Sequence, residues 1–237
     1  MLDVHPPHEA AHSWKDFFIH IATIVVGLLI AVALEQSVEA FHAAHERSDL
    51  RAALQRENGQ ILHDTHAVDV SEGPQLLWLK AVELQIANAA HDGRPVGVFP
   101  PYHPLPWDVP DNPIFDAAKS SGRLALLNDR ELVAYGELDG LIKRVDTAYT
   151  HLSEARRSDD DFLRSATFDQ PGVDPLQSRM SLEQLRDFHN RMVQMETATS
   201  EFRYWSRQAE GAATVMQQGE LDLHKIETAE RSFDKNQ

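Results

Sequence analysis

Apolar positions along the chain fall into three patterns. The first is an unbroken run, Phe17 to Leu34 (FFIHIATIVVGLLIAVAL), with one ionisable residue, His20, and no proline. At 1.5 Å per residue it makes roughly 27 Å of helix, close to the hydrocarbon thickness of a bilayer. The second is the 3,4 alternation of amphipathic helices. It is cleanest over Leu185, Phe188, Met192, Met195, Thr199, Phe202, Ser206, Ala209, Ala213 and Met216. The third is a proline-dense stretch, Arg94 to Pro113, which rules out helix and central strand.

These patterns predict an all-α fold: a transmembrane helix continuing into a stalk, then a helical bundle. Residues 1–16 form a short tail and 17–34 the span. The bundle covers 35–218, with a Pro-rich loop at 94–113. Residues 219–237 read as a polar, loosely held C-terminal tail. The stalk helix runs from Glu35 to about Val68 with a broken stripe of Val38, Phe41, Leu50, Leu54 and Ile61. Ser71-Glu72-Gly73-Pro74 signals a turn. A shorter helix then runs from about Pro74 to His91, burying Leu79, Val82, Ile86 and Ala89.

Past the Pro-rich loop, Asp111 or Asn112 caps a short helix over Phe115 to Ser121, which Gly122 stops. Asn128 and Asp129 open a long helix with Tyr135, Leu138, Ile142, Val145, Tyr149, Leu152, Leu163 and Ala166 on one stripe. The same alternation puts Arg156 and Asp159 in the seam, so the seam opens to water there or the helix bends away. Pro171 to Pro175 is a turn, and Ser181 with Gln184 forms a capping box for the last helix, which runs to about Gln218. The two long helices pair as an antiparallel hairpin.

The apolar run has three readings: a permanent anchor, a cleaved signal peptide ending near Ala31-Val32-Ala33, or a buried core helix. The anchor is favoured. Trp14, Phe17 and Phe18 suit an interface, and Asp3, Glu9 and Asp16 outweigh Lys15 in what would be a signal peptide's positive leader. Lys15 before the span and Glu35 and Glu39 behind it favour a cytoplasmic N-terminus and an extracytoplasmic domain. Thr23, Gly27 and Ala31 share a face on which two helices can pack closely, so a homodimer is one expected partner state.

Charge narrows the function classes. The chain carries a net −15, and beyond the span 21 basic face 34 acidic residues, for a net of −13. That opposes binding to nucleic acid or to anionic lipid surfaces. There is no cysteine, no G-x-S-x-G elbow and no glycine-rich phosphate loop. Thirteen histidines invite a metal reading. His42 and His45, and His63 and His66 with Asp69, are spaced three apart, so each group lies on one helix face. Glu39-x-x-His42 is half of a di-iron motif, but its facing partner is missing. A solvated helix face is favoured over metal, and no cofactor is expected. Asp159 to Asp161 read as solvated surface. Phe99, Tyr102 and Trp107 make the Pro-rich loop either a cover pegged to the helices or a ligand- or partner-binding loop.

Two segments carry a resemblance. HSWKDFFI (His12 to Ile19) runs into a span holding Val26-Gly27, with Leu34-Glu35-Gln36 after it, and FDAAKSSGRLALLNDRELVAY occupies Phe115 to Tyr135. Together they resemble a family of bacterial single-pass membrane proteins known as a domain of unknown function. The resemblance implies an inner-membrane anchor followed by a helical domain, and supplies no activity. The expected role is a non-catalytic interaction or scaffold module, with a ligand-sensing domain as the alternative and a metal protein or enzyme behind both.

Overall fold

The computed structural model describes residues 14–92, 105–166 and 180–234. Among these the protein is all-helical, with no strand. The elements are α1 (Trp14–Asp92), α2 (Pro113–Ser120), a 3-10 turn (Arg123–Leu126), α3 (Asp129–Ala166), α4 (Leu182–Gln217) and α5 (Leu223–Asp234). The chain divides into two compact units, Met1–Leu50 and Arg51–Gln237.

In the first unit, an 18-residue window of α1 near the N-terminus has mean hydropathy 2.7 and no part buried. It is long and apolar enough to cross a membrane. Its polar hydroxyl is satisfied internally, because Thr23 Oγ1 donates to the Ile19 carbonyl at 2.8 Å. Trp14 stacks on Phe17 and meets Phe18 edge-on, with centroids 5.6 and 4.8 Å apart.

In the second unit, α1 from Arg51 onward, α3 and α4 form a three-helix bundle. α4 runs antiparallel to α1: Asn58 bonds the Ala213 carbonyl, Asp69 meets Arg203, and Glu83 meets His189. It is antiparallel to α3 as well, through His151–Glu201 and Ser158–Arg191. α1 and α3 are therefore parallel, as Arg51–Glu131 and Glu72–Arg156 show. All ten positions of the α4 stripe are buried. On α3, Tyr135, Leu138, Ile142, Val145 and Leu152 are buried as the alternation predicts. Ala134, Leu141 and Ala148 add a second buried face, because α3 serves two partners. One end of the bundle is closed by Leu79, Val82, Ile86, Ala89, Leu185, Phe188, Met192 and Met195.

Three expectations change. First, Ser71 to Pro74 is not a turn: α1 continues through it with Pro74 inside the helix. An internal proline removes the bond to the carbonyl four residues back and costs about 3 kcal/mol. Burial of Val68, Ser71, Glu72, Gln75, Leu76 and Leu79 on both sides holds the helix through that defect. Second, the helix does not bend away at Arg156 and Asp159: Asp159 is buried, and the half-buried Arg156 reaches Glu72 of α1. Third, the C-terminal stretch is not a loose tail. Gly219 takes the left-handed conformation (φ 81), which favours glycine, and turns the chain. Asp222 accepts the His224 N–H at 3.0 Å, and Ile226 of α5 is fully buried against the bundle. The sequence signal was there, in a capping Asp222 with Leu223 and Ile226 spaced for one helix face.

Candidate functional site: polar groups buried in the bundle

Among the described buried polar residues, three groupings along the bundle involve ionisable side chains that hold elements together or stand without a partner. The first fastens α2 and α3 to α1. Asn112 occupies the N-cap of α2 but makes no side-chain cap. Its amide donates instead to Asp139 at 3.0 Å. The cap comes from α1: the Glu57 carboxylate accepts the Ile114 and Phe115 N–H groups, the latter at 3.1 Å. A carboxylate at a helix N-terminus also meets the positive end of the helix dipole. Burial pushes the Glu57 carboxyl up, the two backbone N–H groups pull it down, and the rise wins.

Gly122 takes φ 73 and ends α2 as expected. α3 opens with a reciprocal cap, Glu131 N–H to Asn128 Oδ1 at 3.0 Å and Asn128 N–H to Glu131 Oε2 at 2.9 Å. Arg51 then grips the same Glu131 with two nitrogens. Burial, with Glu131 and Glu57 nearby, raises Tyr135 to about 12, so its hydroxyl stays protonated. Burial also pushes Asp139 up, but hydrogen bonds from Lys143, Asn112 and Lys119 outweigh it and hold the carboxyl below its usual value. The segment from Phe115 to Tyr135 is thus the corner by which α2 and α3 are held to α1.

The second place is the bundle centre, beside Pro74. Glu72 is 0% exposed. Its Oε1 accepts from Trp107 Nε1 at 2.9 Å and from Arg156 Nη2 at 3.0 Å, and its Oε2 accepts from Arg156 at 3.1 Å. Arg156 also donates to Gln75 Oε1 at 2.9 Å. The Trp107 ring packs on Phe202 and Tyr149, with centroids 5.1 and 5.7 Å away. Arg156 therefore enters the seam because a buried carboxylate from α1 awaits it. Both Glu72 oxygens are engaged, so this is a clamp across α1, α3 and the 105–112 segment rather than a reactive centre.

The third is Asp159, only 7% exposed and with Oδ1 lacking any hydrogen-bond partner among the described residues. Asp159 is not the solvated surface its charge run suggested. Burial, with Asp160 adding to it and Arg191 opposing, pushes its carboxyl up to about 7. Arg191 is engaged elsewhere. It donates to the Ser158 carbonyl at 2.9 Å and to Asp187 at 3.2 Å, and lies over the Phe162 ring.

The candidates named from sequence are scattered. His42 and His45 are exposed in the first unit, where His45 lies 3.5 Å from Asp49. His63 is exposed, His66 meets Glu210 at 3.0 Å, and Asp69 is taken by Arg203 at 2.7 Å. Among the described residues no group of three or more His, Asp or Glu is placed to hold a metal ion. Thr23, Gly27 and Ala31 lie on an exposed helix face, and a Cβ on Gly27 would meet nothing. Trp107 pegs its segment to the bundle, whereas Phe99 and Tyr102 lie outside the described residues, as does the Pro171 to Pro175 turn. Glu57, Glu72 and Gln75 escaped the sequence reading because their partners are 35 to 84 positions away. No family model, curated protein or solved structure matches the chain.

Proposed function

We propose that the chain is a single-pass membrane protein of the bacterial inner membrane whose helical bundle serves as an interaction or scaffold module. The observation behind this reading is the fully exposed apolar window of α1, an energetic liability in water that a bilayer removes. The aromatic group at Trp14, Phe17 and Phe18 suits the membrane interface. Lys15 on one side and Glu35 and Glu39 on the other favour a cytoplasmic N-terminus with the bundle across the membrane. The buried polar groups at Glu57, Glu72 and Glu131 tie helices together, which suits a module whose surface meets a partner. Two chains would meet through Thr23, Gly27 and Ala31, and the resemblance to the bacterial single-pass family accords with the same reading.

The test has two parts. Tagged protein should resist alkaline extraction of membranes and leave only with detergent, and a C-terminal tag should be cut by protease added to spheroplasts. Release by carbonate would end the anchor reading, and a protected tag would reverse the orientation. Crosslinking in the membrane should lose a dimer band on Gly27→Ile, and an unchanged band would remove that face as the contact.

A further inference from the structure

The groove between α1 and α4 beside Pro74 contains a cleft of about 520 Å³. That volume falls within the range of small-molecule sites. Three cationic side chains line it: Lys80 from α1, and Arg203 and Arg207 from α4. Two carboxylates answer them. Glu196 lies 3.6 Å from Lys80, and Asp69 is shared by both arginines. The sharing is unequal. Arg203 Nε donates to Asp69 Oδ1 at 2.7 Å, while Arg207 Nε is 3.7 Å from the same oxygen, too far for a hydrogen bond. The Arg207 side chain is only 13% exposed, so little solvent reaches it. In a chain of net charge −15 this leaves a local surplus of positive charge, with an incompletely bonded guanidinium at the cleft wall.

The surrounding residues give the cleft its shape. Gly73 faces Arg203: a Cβ there would sit 3.3 Å from Arg203 Nη2, so the bare backbone makes room for the guanidinium. Beyond the cations the wall is apolar, formed by Pro74, Leu76 and Leu77, and Leu77 is 72% exposed. Guanidinium forks recognise the paired oxygens of carboxylates and phosphates.

We propose that this cleft binds a small organic anion, its carboxylate or phosphate held by Arg203 and Arg207 with Lys80 at the edge and its apolar body resting on Pro74 and Leu77. Asp69 orients Arg203 and keeps the two arginines from driving each other apart. The ligand supplies the acceptors that Arg207 lacks among the described residues. Ser200, also on the wall, offers a hydroxyl to the same group.

The test uses the full chain in a non-ionic detergent, with benzoate, phenyl phosphate and inorganic phosphate as probes and benzyl alcohol as the neutral control. Binding is read by calorimetry and by the shift of the thermal midpoint at matched ionic strength. At least one aromatic anion should bind saturably, and benzyl alcohol should not. Benzoate against phenyl phosphate decides between the two head groups, and inorganic phosphate binding as tightly as phenyl phosphate would overturn the apolar half of the site. Arg207→Gln should weaken binding roughly tenfold, the loss of one charge-assisted contact. Should Arg207→Gln fail to fold, Lys80→Gln and Leu77→Ser change exposed side chains and should each weaken binding several-fold. Affinity unchanged in these variants, or no saturable anion binding by the wild type, would overturn the proposal.

Discussion

Asp159 is a destabilising residue at neutral pH, and its replacement by asparagine should strengthen the bundle in a pH-dependent way. Its folded pKa is raised from 3.8 to about 7, chiefly by burial. The folded state therefore holds the proton more tightly than the unfolded chain does. Stability is greatest below the unfolded value and falls as pH rises through the window between 3.8 and about 7, then levels off. At about 1.4 kcal/mol per unit, the penalty at alkaline pH is on the order of 4 kcal/mol, an upper bound if the site relaxes or admits water. Between about pH 5 and about pH 8 the penalty grows by roughly 2.5 kcal/mol. The Asp159→Asn variant has no carboxyl to ionise at this position, so its advantage over wild type should widen by that amount across the interval. For a domain of this size that is roughly 5–10 °C in midpoint. Denaturation of both proteins in detergent, followed by far-UV circular dichroism at the two pH values, reads it directly. Other carboxylates titrate in both proteins and cancel in the difference. A gap that stays constant with pH, or narrows, would refute the reasoning. Asp160→Asn provides a graded check, since removing the neighbouring charge should lower the Asp159 pKa and flatten the wild-type dependence in part.

Two further outcomes follow from the buried contacts. Glu72→Ala should cost about 1–3 kcal/mol in denaturant unfolding, because it takes the carboxylate from the half-buried Arg156 and from the Trp107 N–H, while the double variant Glu72→Leu with Arg156→Leu should cost clearly less than the single one; equal losses would mean the pair is not coupled. Ile226→Ala should cost about 2–4 kcal/mol and raise amide exchange across α5, whereas a loosely held tail would register neither.

The parts of this fold that were legible in the sequence are those whose determinants are local. The α4 stripe, the Ser181–Gln184 box and the Gly122 stop each lie within one helix or one turn, and each forms as read. The cap of α2 was not legible, because its acceptor, Glu57, is 57 residues before Ile114. Asp159 shows two signals in conflict. Periodicity put it in the seam, while the charge run Asp159 to Asp161 suggested a solvated surface. Periodicity prevailed, because the helix axis decides which face is buried and an adjacent charge does not change that axis. His66 and Asp69 are drawn to different partners for a related reason. Spacing places residues on a common face of one helix, but their partners are set by the opposite helix, where arginines and glutamates had already claimed His66 and Asp69.

Periodicity likewise carries α1 through Pro74. Leu54, Asn58, Ile61, Thr65, Val68, Glu72, Gln75, Leu79, Val82, Ile86 and Ala89 keep an unbroken 3,4 alternation, and every one of them is buried. A turn at Gly73 and Pro74 would have reset that phase, and it does not reset. The stripe is hard to see because Asn58, Thr65, Glu72 and Gln75 are polar, which makes one long seam look like two short helices around a break. Three of those polar positions also direct pairing, whereas the Thr65 hydroxyl bonds the Ile61 carbonyl of its own helix. Asn58 takes the Ala213 carbonyl of α4, and Glu72 and Gln75 take Arg156 of α3. A leucine at each site would bury more apolar area but would fit against either neighbour and in several registers. A buried polar group is satisfied in only one register, so the residues that hide the helix from a hydrophobicity reading are the ones that specify how it docks.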